Sequence, residues 1–317
     1  MLYDIPLILE DFLNYLDTIK GKSKNTVKEY YYDLRILLKY LKIRYRQVDR
    51  DTPLEDIEIS DIDIDFIKRI NLQDLFAFIS YTDKERNNKN YTKARKVASI
   101  KSFFNYLNNI VNLIDQNPAN NLETPKTDSR HPTYLTLDES RKLLDVIDGQ
   151  YKERDYAIVT LFLNCGLRLS ELVSIDITKI KADTLTVIGK GNKERTIYLN
   201  DACLDAIDEY LKVRPKNGKD KNALFLSKRK NRLSVRAVQH LVKKHLKNAG
   251  LDTDKYSTHK LRHTAATLMY KYGNVDIRAL QQILGHESVS TTQIYTHIDD
   301  DRLRKAVKKN PLSEIKK

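Results

Sequence analysis

The chain has 317 residues, of which 31% are charged and 41% are hydrophobic. Its formal net charge of +13, from 56 Lys and Arg against 43 Asp and Glu, points to an acidic partner such as DNA or RNA, with a basic protein that binds no specific ligand as the alternative. No uninterrupted apolar run approaches the roughly 20 residues of a membrane helix, which argues against a protein that spans a membrane.

The start of the chain and its cysteines indicate the compartment. Residues 1–4 include an acidic residue, and no basic region precedes an apolar stretch, so we expect no secretion signal. Cys165 and Cys203 have no metal-ligand spacing and are too few for a disulfide scaffold. These features predict a soluble cytoplasmic protein with two buried thiols and no membrane partner.

Residues 1–122 are predicted to form a helical, DNA-binding domain. Apolar residues recur at helical spacing, Gly21 ends the first helix, and Ser23 or Asn25 caps the second. This second helix and a later one over residues 91–107 carry basic side chains opposite their apolar seams. Such stripes are most often solvated, but this spacing could follow a phosphate backbone. The candidate DNA contacts are Lys28, Arg35, Lys39, Lys93, Lys96 and Lys101.

A linker is predicted over residues 123–133, because prolines, asparagines and mixed charges replace the helical pattern there. The second domain then covers residues 134–317. Thr136 and Glu139 match a capping box, which is typical of a helix start and opens this domain.

An arginine follows a strongly apolar helix of the second domain. Gly166 closes this helix, and Arg168 lies in the turn before a helix that could restart at Ser170. A guanidinium between two buried helices is unfavourable to desolvate unless an anion meets it. Glu171 could be a purely structural partner; alternatively, Arg168 binds a phosphate and Glu171 holds it in place.

Two alternating segments, residues 184–188 and 195–199, predict a β-hairpin. Its turn holds Lys190 between two glycines, so this side chain reaches solvent, although a lysine in such a turn is usually only a charged tip. A later helix capped by Ser234 brings further basic residues. Its candidate contacts with the DNA backbone are Arg232, Arg236, Lys243 and Lys244.

The next residues are of types that bind phosphate. His259 and Arg262 lie three apart near the start of one predicted helix, where the helix dipole favours anions. Gly285 is predicted to end another helix and to present His286. Tyr295 follows nine residues after His286. This repeated placement at helix ends indicates a site.

Several chemistries do not fit these residues. The spacing of His259, His263, His286 and His297 matches no common zinc pattern, and neighbouring carboxylates are sparse. The sequence also lacks a nucleophile elbow and a glycine-rich P-loop. We therefore expect no metal or nucleotide cofactor.

Phosphoryl transfer without a metal ion fits the candidate residues. It needs cations for the non-bridging oxygens, an acid for the leaving oxygen and a nucleophile. Arg168 and Arg262 supply two planar forks that can bind these oxygens bidentately, and His286 can donate to the same phosphate.

The acid and the nucleophile are assigned by residue type and order. Lys190 can protonate a leaving 5′ oxygen from its hairpin turn. Tyr295 can attack through its phenolic oxygen, and His259 can take or share the proton.

These residues lie in motifs that resemble the signature of the tyrosine recombinases, the phage integrase family. The motifs are GLRLSEL at residues 166–172, GKGNKER at 189–195, HKLRH at 259–263, LGH at 284–286, and Tyr295. The helices before residue 122 resemble the family's core-binding domain, through KNT at residues 24–26 and SFFNYL at 102–107. The chain is most similar to the XerC/XerD group.

The resemblance implies a mainly α fold. An N-terminal all-helical core-binding (SAM-like) domain would precede an α-rich catalytic domain with a small antiparallel β-hairpin or sheet. Glu171 and His263 would be supporting residues, His263 through packing. The implied catalytic residues are Arg168, Lys190, His259, Arg262, His286 and the nucleophile Tyr295.

The resemblance also implies an activity and partners. A C-shaped clamp would exchange DNA strands at specific sites through a 3′-phosphotyrosine and a Holliday junction, without ATP or metal. The implied partners are double-stranded DNA with an inverted-repeat site, a homotetramer or a heterotetramer with a paralogue, and, as a candidate, a septal DNA translocase. A C-terminal helix near residues 303–307 would dock into a neighbouring protomer.

Two other classes remain as alternatives. A type IB topoisomerase uses similar residues but acts as a monomer, and a catalytically inactive DNA-binding regulator needs none of them intact. Within the recombinases, chromosome dimer resolution and integration or excision of a mobile element differ in genomic neighbours and target site, which a sequence of this chain does not contain.

Overall fold

Helices make up most of the protein. The computed structural model describes residues 5–126, 133–189, 194–273, 275–285 and 288–295. The chain divides into two compact units, Met1–Ser129 and Arg130–Lys317, each with its own hydrophobic core. No helix in the described ranges is both long and apolar enough to cross a membrane. The predicted fold class, mainly α with a small antiparallel sheet, is confirmed.

The N-terminal unit is built from helices alone among its described residues. They are α1 Leu7–Asn14, α2 Lys24–Arg44, α3 Ile64–Lys68, α4 Leu72–Lys84 and α5 Asn90–Asn105. A π-helical turn extends α1 over Tyr15–Ile19 and another extends α5 over Tyr106–Ile110. The side chain of Ser23 accepts a hydrogen bond from the backbone N–H three residues on, at 3.2 Å, so Ser23 is the cap of α2.

Helix α2 lies at the centre of this unit. Its seam from Leu34 to Leu41 is buried and packs against α1, α4 and α5. The rings of Phe12 and Phe103 meet edge to face, with their centroids 5.3 Å apart. The apolar periodicity of these helices therefore corresponds to one shared core.

Two predicted DNA contacts in this unit are buried. Lys39 is 3% exposed and its ammonium donates to the carbonyls of Leu54, at 2.6 Å, and Glu55, at 3.1 Å. Lys96 is 4% exposed and donates to Asp33 Oδ1 at 2.8 Å. Their outward placement was wrong, because other segments cover these positions and supply acceptors that helical periodicity does not reveal.

The other four candidates of this unit differ in exposure. Lys28 is exposed, whereas Arg35 and Lys101 are half-buried. The ammonium of Lys93 forms an ion pair with Asp83 at 2.5 Å and is largely covered. Lys28, Arg35 and Lys101 thus remain the accessible cations of the predicted set.

The C-terminal unit combines helices with one small sheet. Its helices are α6 Leu137–Asp145, α7 Lys152–Cys165, α8 Leu169–Val173, α9 Asp201–Val213, α10 Val235–Asn248, α11 Thr258–Tyr272, α12 Ile277–Leu284 and α13 Ser290–Gln293. Its strands are β1 Ile180–Lys181, β2 Thr184–Ile188 and β3 Glu194–Tyr198. The predicted capping box is present. Thr136 Oγ1 accepts a hydrogen bond from the backbone N–H of Glu139, and the Glu139 carboxylate accepts one from the backbone N–H of Thr136.

The sheet has the antiparallel order β1-β2-β3. The hairpin register pairs Ile188 with Glu194 and Val187 with Arg195. Strand β1 was not predicted, because a two-residue strand is too short to show alternation. Lys190 in the hairpin turn lies outside the described residues.

Helix α7 is the centre of the C-terminal core and packs against α9 and α11. It ends at Gly166, which has the left-handed φ of 59° that the predicted cap requires. A Cβ at this glycine would come within 2.9 Å of Leu284 Cδ2, so close packing on α12 also favours glycine. Cys165 and Cys203 are buried free thiols, as expected, with their sulfur atoms 3.6 Å apart.

Candidate active site

Two arginines lie where α7, α8, α11 and α12 begin or end. Arg262, on α11, is 4% exposed and donates to the carbonyls of Gly166, at 2.5 Å, and Leu284, at 2.6 Å. Arg168, before α8, donates from Nη2 to the carbonyl of Gly285 at 2.7 Å. The two guanidinium groups are thus held by consecutive carbonyls at the end of α12, which brings both predicted phosphate ligands to one place.

Glu171 accepts hydrogen bonds from two arginines. Its carboxylate is 1% exposed and accepts from the backbone N–H of Arg168 at 2.7 Å, from Arg168 Nη1 at 2.8 Å and from Arg195 Nη2 at 2.9 Å. Burial by itself raises the pKa of Glu171, but its contacts with Arg195 and then Arg168 outweigh burial and hold the pKa below its usual range. The carboxylate is therefore ionised and fixes the Arg168 side chain, which is still 31% exposed.

Arg195 was missed as a site residue, although it closes the quoted GKGNKER motif. Its side chain is 14% exposed and also donates to the carbonyl of Ile283. A signal was available in the strand pattern, because Arg195 lies two and four residues before the buried Ile197 and Leu199 and so falls on the same face of the strand. An arginine on the inward face of a strand needs an anionic partner nearby.

Positive charge exceeds negative charge among the described side chains here. Burial, followed by repulsion from Arg168, lowers the pKa of Arg262 to about 10, and Arg195 acts in the same direction. Glu171 is the carboxylate that opposes this shift. Three guanidinium groups around one carboxylate form a site that favours a bound anion such as a phosphodiester.

Tyr295 is buried beside these arginines, in a small apolar cluster with Ala266, Leu280 and Leu284. Its side chain is 1% exposed. Burial raises the pKa of Tyr295 to about 12, an effect that the charge of Arg262 opposes. The phenol is therefore neutral at neutral pH, and it packs in the same cluster as Leu284, whose carbonyl accepts a hydrogen bond from Arg262.

His263, and not His259, contacts the phenol. His263 Nδ1 lies 2.7 Å from the hydroxyl oxygen of Tyr295, so the assignment of His263 to packing was too narrow. The ring of His259 packs edge to face on that of His263, with centroids 4.6 Å apart. His263 thus contacts both the buried phenol of Tyr295 and the ring of the exposed His259.

The family model for the phage integrase family matches residues 133–302. The chain belongs to the phage integrase family. Tyrosine recombinase XerC of Caldanaerobacter subterraneus subsp. tengcongensis is 63% identical to it, over 98% of this chain and 88% of that protein. The predictions of the family and of a tyrosine recombinase are confirmed.

Solved structures share the fold of this recombinase. The XerH site-specific recombinase, in a post-cleavage complex with its palindromic difH substrate, has a TM-score of 0.69 and 22% identity, covering 96% of this chain and 97% of that one. A lambda integrase tetramer bound to a Holliday junction has a TM-score of 0.65 and 19% identity, covering 89% and 77%. At these identities the likeness shows the fold alone.

The remaining predicted residues of the recombinase fall into two groups. His286, like Lys190, lies outside the described residues, as does the helix expected near residues 303–307. Arg236, Lys243 and Lys244 are exposed on α10.

The guanidinium of Arg232 is held within the unit. It forms ion pairs with Asp176, at 2.5 Å, and Asp220, at 2.9 Å, and donates to the carbonyls of Val173 and Ile175. It therefore joins segments of the C-terminal unit. Over the described ranges, no three His, Cys, Asp or Glu side chains are grouped as metal ligands.

His259 is expected to make DNA binding by the recombinase depend on pH. Partial burial, followed by the charges of Arg262, Lys260 and Arg168, holds the pKa of His259 below its usual range. A bound phosphate would favour the imidazolium and raise this pKa. Binding would then take up a proton, and affinity would increase as the pH falls through the interval between the free and bound pKa values.

The measurement is the dissociation constant for DNA between pH 5.5 and 7.5, in a Tyr295→Phe background that prevents cleavage. His259→Gln should remove the uptake of up to about one proton on binding, which lowers the slope of affinity with pH by up to about tenfold per pH unit. His240→Gln removes an exposed histidine of α10 and is the control, which should keep the original slope. Equal slopes with and without His259 would contradict the assignment.

Proposed function

We propose that this recombinase cleaves and exchanges DNA strands at specific sites, with Tyr295 forming a 3′-phosphotyrosine and with no requirement for ATP or a metal ion. The observation that carries the proposal is the geometry of Arg168 and Arg262, which are anchored on the carbonyls of Gly285 and Leu284, next to the cluster in which Leu284 packs with Tyr295. This arrangement supports binding of one phosphate by two guanidinium forks next to a nucleophile.

The strand cleavage step transfers a phosphoryl group from sugar to protein. The phenolic oxygen of Tyr295 bonds to phosphorus, its proton passes to His263 or to solvent, and the bond to the 5′ oxygen breaks. Lys190 gives a proton to that leaving oxygen, while His286 donates to a non-bridging oxygen. Since the ester energy is retained in the phosphotyrosine, the 5′-hydroxyl of a partner strand can attack its phosphorus. The bond to Tyr295 then breaks, the phenol takes up a proton, and the joined strands form a Holliday junction.

Tyr295 cannot attack from its described position without a local opening. Its side chain is 1% exposed and its hydroxyl is hydrogen-bonded to His263. A phosphate therefore meets the phenol only when the apolar cluster around Tyr295 loosens. We propose that DNA binding provides this change.

DNA binding is assigned to both parts of the chain. Residues 1–122 would act as the core-binding domain and residues 134–317 as the catalytic domain, joined by a linker over 123–133. Exposed or half-buried cations on each side of the linker support this assignment through phosphate contacts. These cations are Lys28, Arg35, Lys101, Arg236, Lys243 and Lys244.

The proposed assembly is a tetramer on two duplexes with inverted-repeat sites. The lambda integrase tetramer on a Holliday junction supports this stoichiometry by its fold. The high identity to a tyrosine recombinase XerC favours chromosome dimer resolution in the cytoplasm over integration of a mobile element. We propose either a homotetramer or a heterotetramer with a paralogue, and a septal DNA translocase as a candidate activator.

The experiment that tests this function recovers the DNA held by Tyr295. The protein is incubated with sheared genomic DNA of its host, denatured, and the covalently attached fragments are sequenced. We expect the fragments to converge on one inverted repeat, and a plasmid with two directly repeated copies of that site to release a circle. Scattered fragments and efficient relaxation of a plasmid without the site would favour a type IB topoisomerase, and no attached DNA would favour an inactive regulator.

A further inference from the structure

Arg195 connects three segments of the C-terminal unit at the arginine site. From β3, its Nη2 donates to Glu171 Oε2 at 2.9 Å, its Nε lies 3.3 Å from Glu171 Oε1, and its Nη1 donates to the carbonyl of Ile283. A single side chain thus joins the hairpin, the start of α8 and the end of α12. A lysine could not make this set of contacts, because only guanidinium offers donors in a fixed planar fork.

Both described acceptors of the Arg168 side chain are themselves in contact with Arg195. Arg168 donates to Glu171 and to the carbonyl of Gly285. Arg195 shares the Glu171 carboxylate, and its aliphatic part lies against Gly285, where an added Cβ would come within 2.7 Å of Arg195 Cδ. The position of the Arg168 fork is therefore set by groups that Arg195 holds.

The charge arrangement has the same consequence. Glu171 is a buried carboxylate, and a buried charge that loses one partner is strongly unfavourable. With Arg195 in place, Glu171 has a second cation and does not rely on Arg168 alone. Without Arg195, the carboxylate would draw the Arg168 guanidinium towards itself and away from a phosphate.

We infer that Arg195 is a positioning residue for DNA cleavage, which acts through Glu171 and the Gly285 turn to align the Arg168 fork with the scissile phosphate. The inference rests on the proposed function. Arg195 itself is directed towards protein acceptors, so its contribution is to the rate of cleavage and not to DNA affinity.

The first test compares Arg195→Lys with the wild-type chain on a nicked suicide substrate. We expect the single-turnover cleavage rate to fall about 10- to 100-fold, since a displacement of about 1 Å can cost 10²-fold in rate. The dissociation constant should stay within about twofold. A loss of affinity equal to the loss of rate, or an unchanged rate, would overturn the inference.

Arg214→Lys is the matched control for structural damage. Arg214 is an arginine of the same unit that donates to the carbonyls of Leu224, at 3.1 Å, and Ala223, at 2.6 Å. This variant should retain the cleavage rate even where thermal unfolding shows a similar loss of stability. If the cleavage rate of Arg214→Lys fell as much as that of Arg195→Lys, loss of stability alone would explain both effects, and the inference would be overturned.

A double-mutant cycle tests the route of the effect. In a Glu171→Gln background, Arg195→Lys should lower the rate by a smaller factor than in the wild-type background, because the shared carboxylate is already absent and only the contact at the Gly285 turn is lost. Fully multiplicative losses would show that Arg195 acts independently of Glu171, contrary to the inference.

A third readout does not require catalysis. The guanidinium N–H signals of Arg168, assigned by their loss in Arg168→Lys, should shift or broaden in the NMR spectrum of Arg195→Lys and stay unchanged in Arg214→Lys. If wild-type protein forms no adduct, the proposed function fails, whereas the positioning of Arg168 is still decided by these signals. Unchanged signals in Arg195→Lys would refute it.

Discussion

Tyr295→Phe is expected to abolish the covalent protein–DNA adduct completely while DNA affinity stays within about threefold of the wild-type value. The substitution removes the attacking oxygen and leaves the aromatic ring, which fills the cluster around Leu280 and Leu284. The lost hydrogen bond to His263 should lower the free energy of unfolding by about 1 kcal/mol, too little to unfold the domain. The measurements are adduct formation on a nicked suicide substrate and binding to an intact site.

Tyr256→Phe provides the control for this variant. Tyr256 is buried in the same unit, at 5% exposure, and its hydroxyl donates a hydrogen bond to Glu139 Oε1 at 3.3 Å. Its loss should have a similar effect on stability and none on the adduct. An adduct that persists in Tyr295→Phe would mean that another residue is the nucleophile, and an adduct lost in both variants would point to a folding defect.

Local signals allowed much of the fold around the site to be predicted. The capping box of Thr136 and the left-handed glycines at 166 and 285, with φ of 59° and 62°, depend on residues within one helical turn. Both glycines end helices at the site. The carbonyl of Gly285 accepts a hydrogen bond from Arg168, and the carbonyl of Gly166 accepts one from Arg262.

Contacts between distant segments could not be predicted in the same way. Arg195 and Glu171 are 24 positions apart, and Lys39 and Leu54 are 15 apart, so neither contact follows from helical or strand periodicity. Both cases involve a charged group whose burial is acceptable only because another segment supplies its partner. Composition showed that cations are abundant, but only the tertiary structure separates those that hold the protein together from those that can meet DNA.

The histidines show the same limit within one motif. His259 and His263 lie one turn apart on α11, and the sequence favoured His259 for proton transfer by residue type and order. The contact that decides proximity to the phenol joins His263 to Tyr295, 32 positions away. Residue type therefore identified the group of candidates, whereas the fold assigned the nearest partner.

Lys190→Ala is expected to slow strand cleavage by about 10²- to 10⁴-fold on an ordinary substrate, the range for loss of a general acid. The same variant should cleave a substrate with sulfur in place of the bridging 5′ oxygen at nearly the wild-type rate. A thiolate, from a thiol of pKa about 8.5, leaves without a proton, whereas an alkoxide does not. The measurement is the single-turnover rate on the two substrates.

Lys181→Ala is the control, because Lys181 is an exposed lysine on β1 of the same sheet. It should cleave both substrates at the wild-type rate, so that a change in charge on the sheet is not mistaken for a loss of acid. Tyr295→Phe should remain inactive on sulfur, since a better leaving group does not replace a nucleophile. If Lys190→Ala is equally slow on both substrates, the lysine contributes charge or position, and the proton for the 5′ oxygen must come from another group at the arginine site.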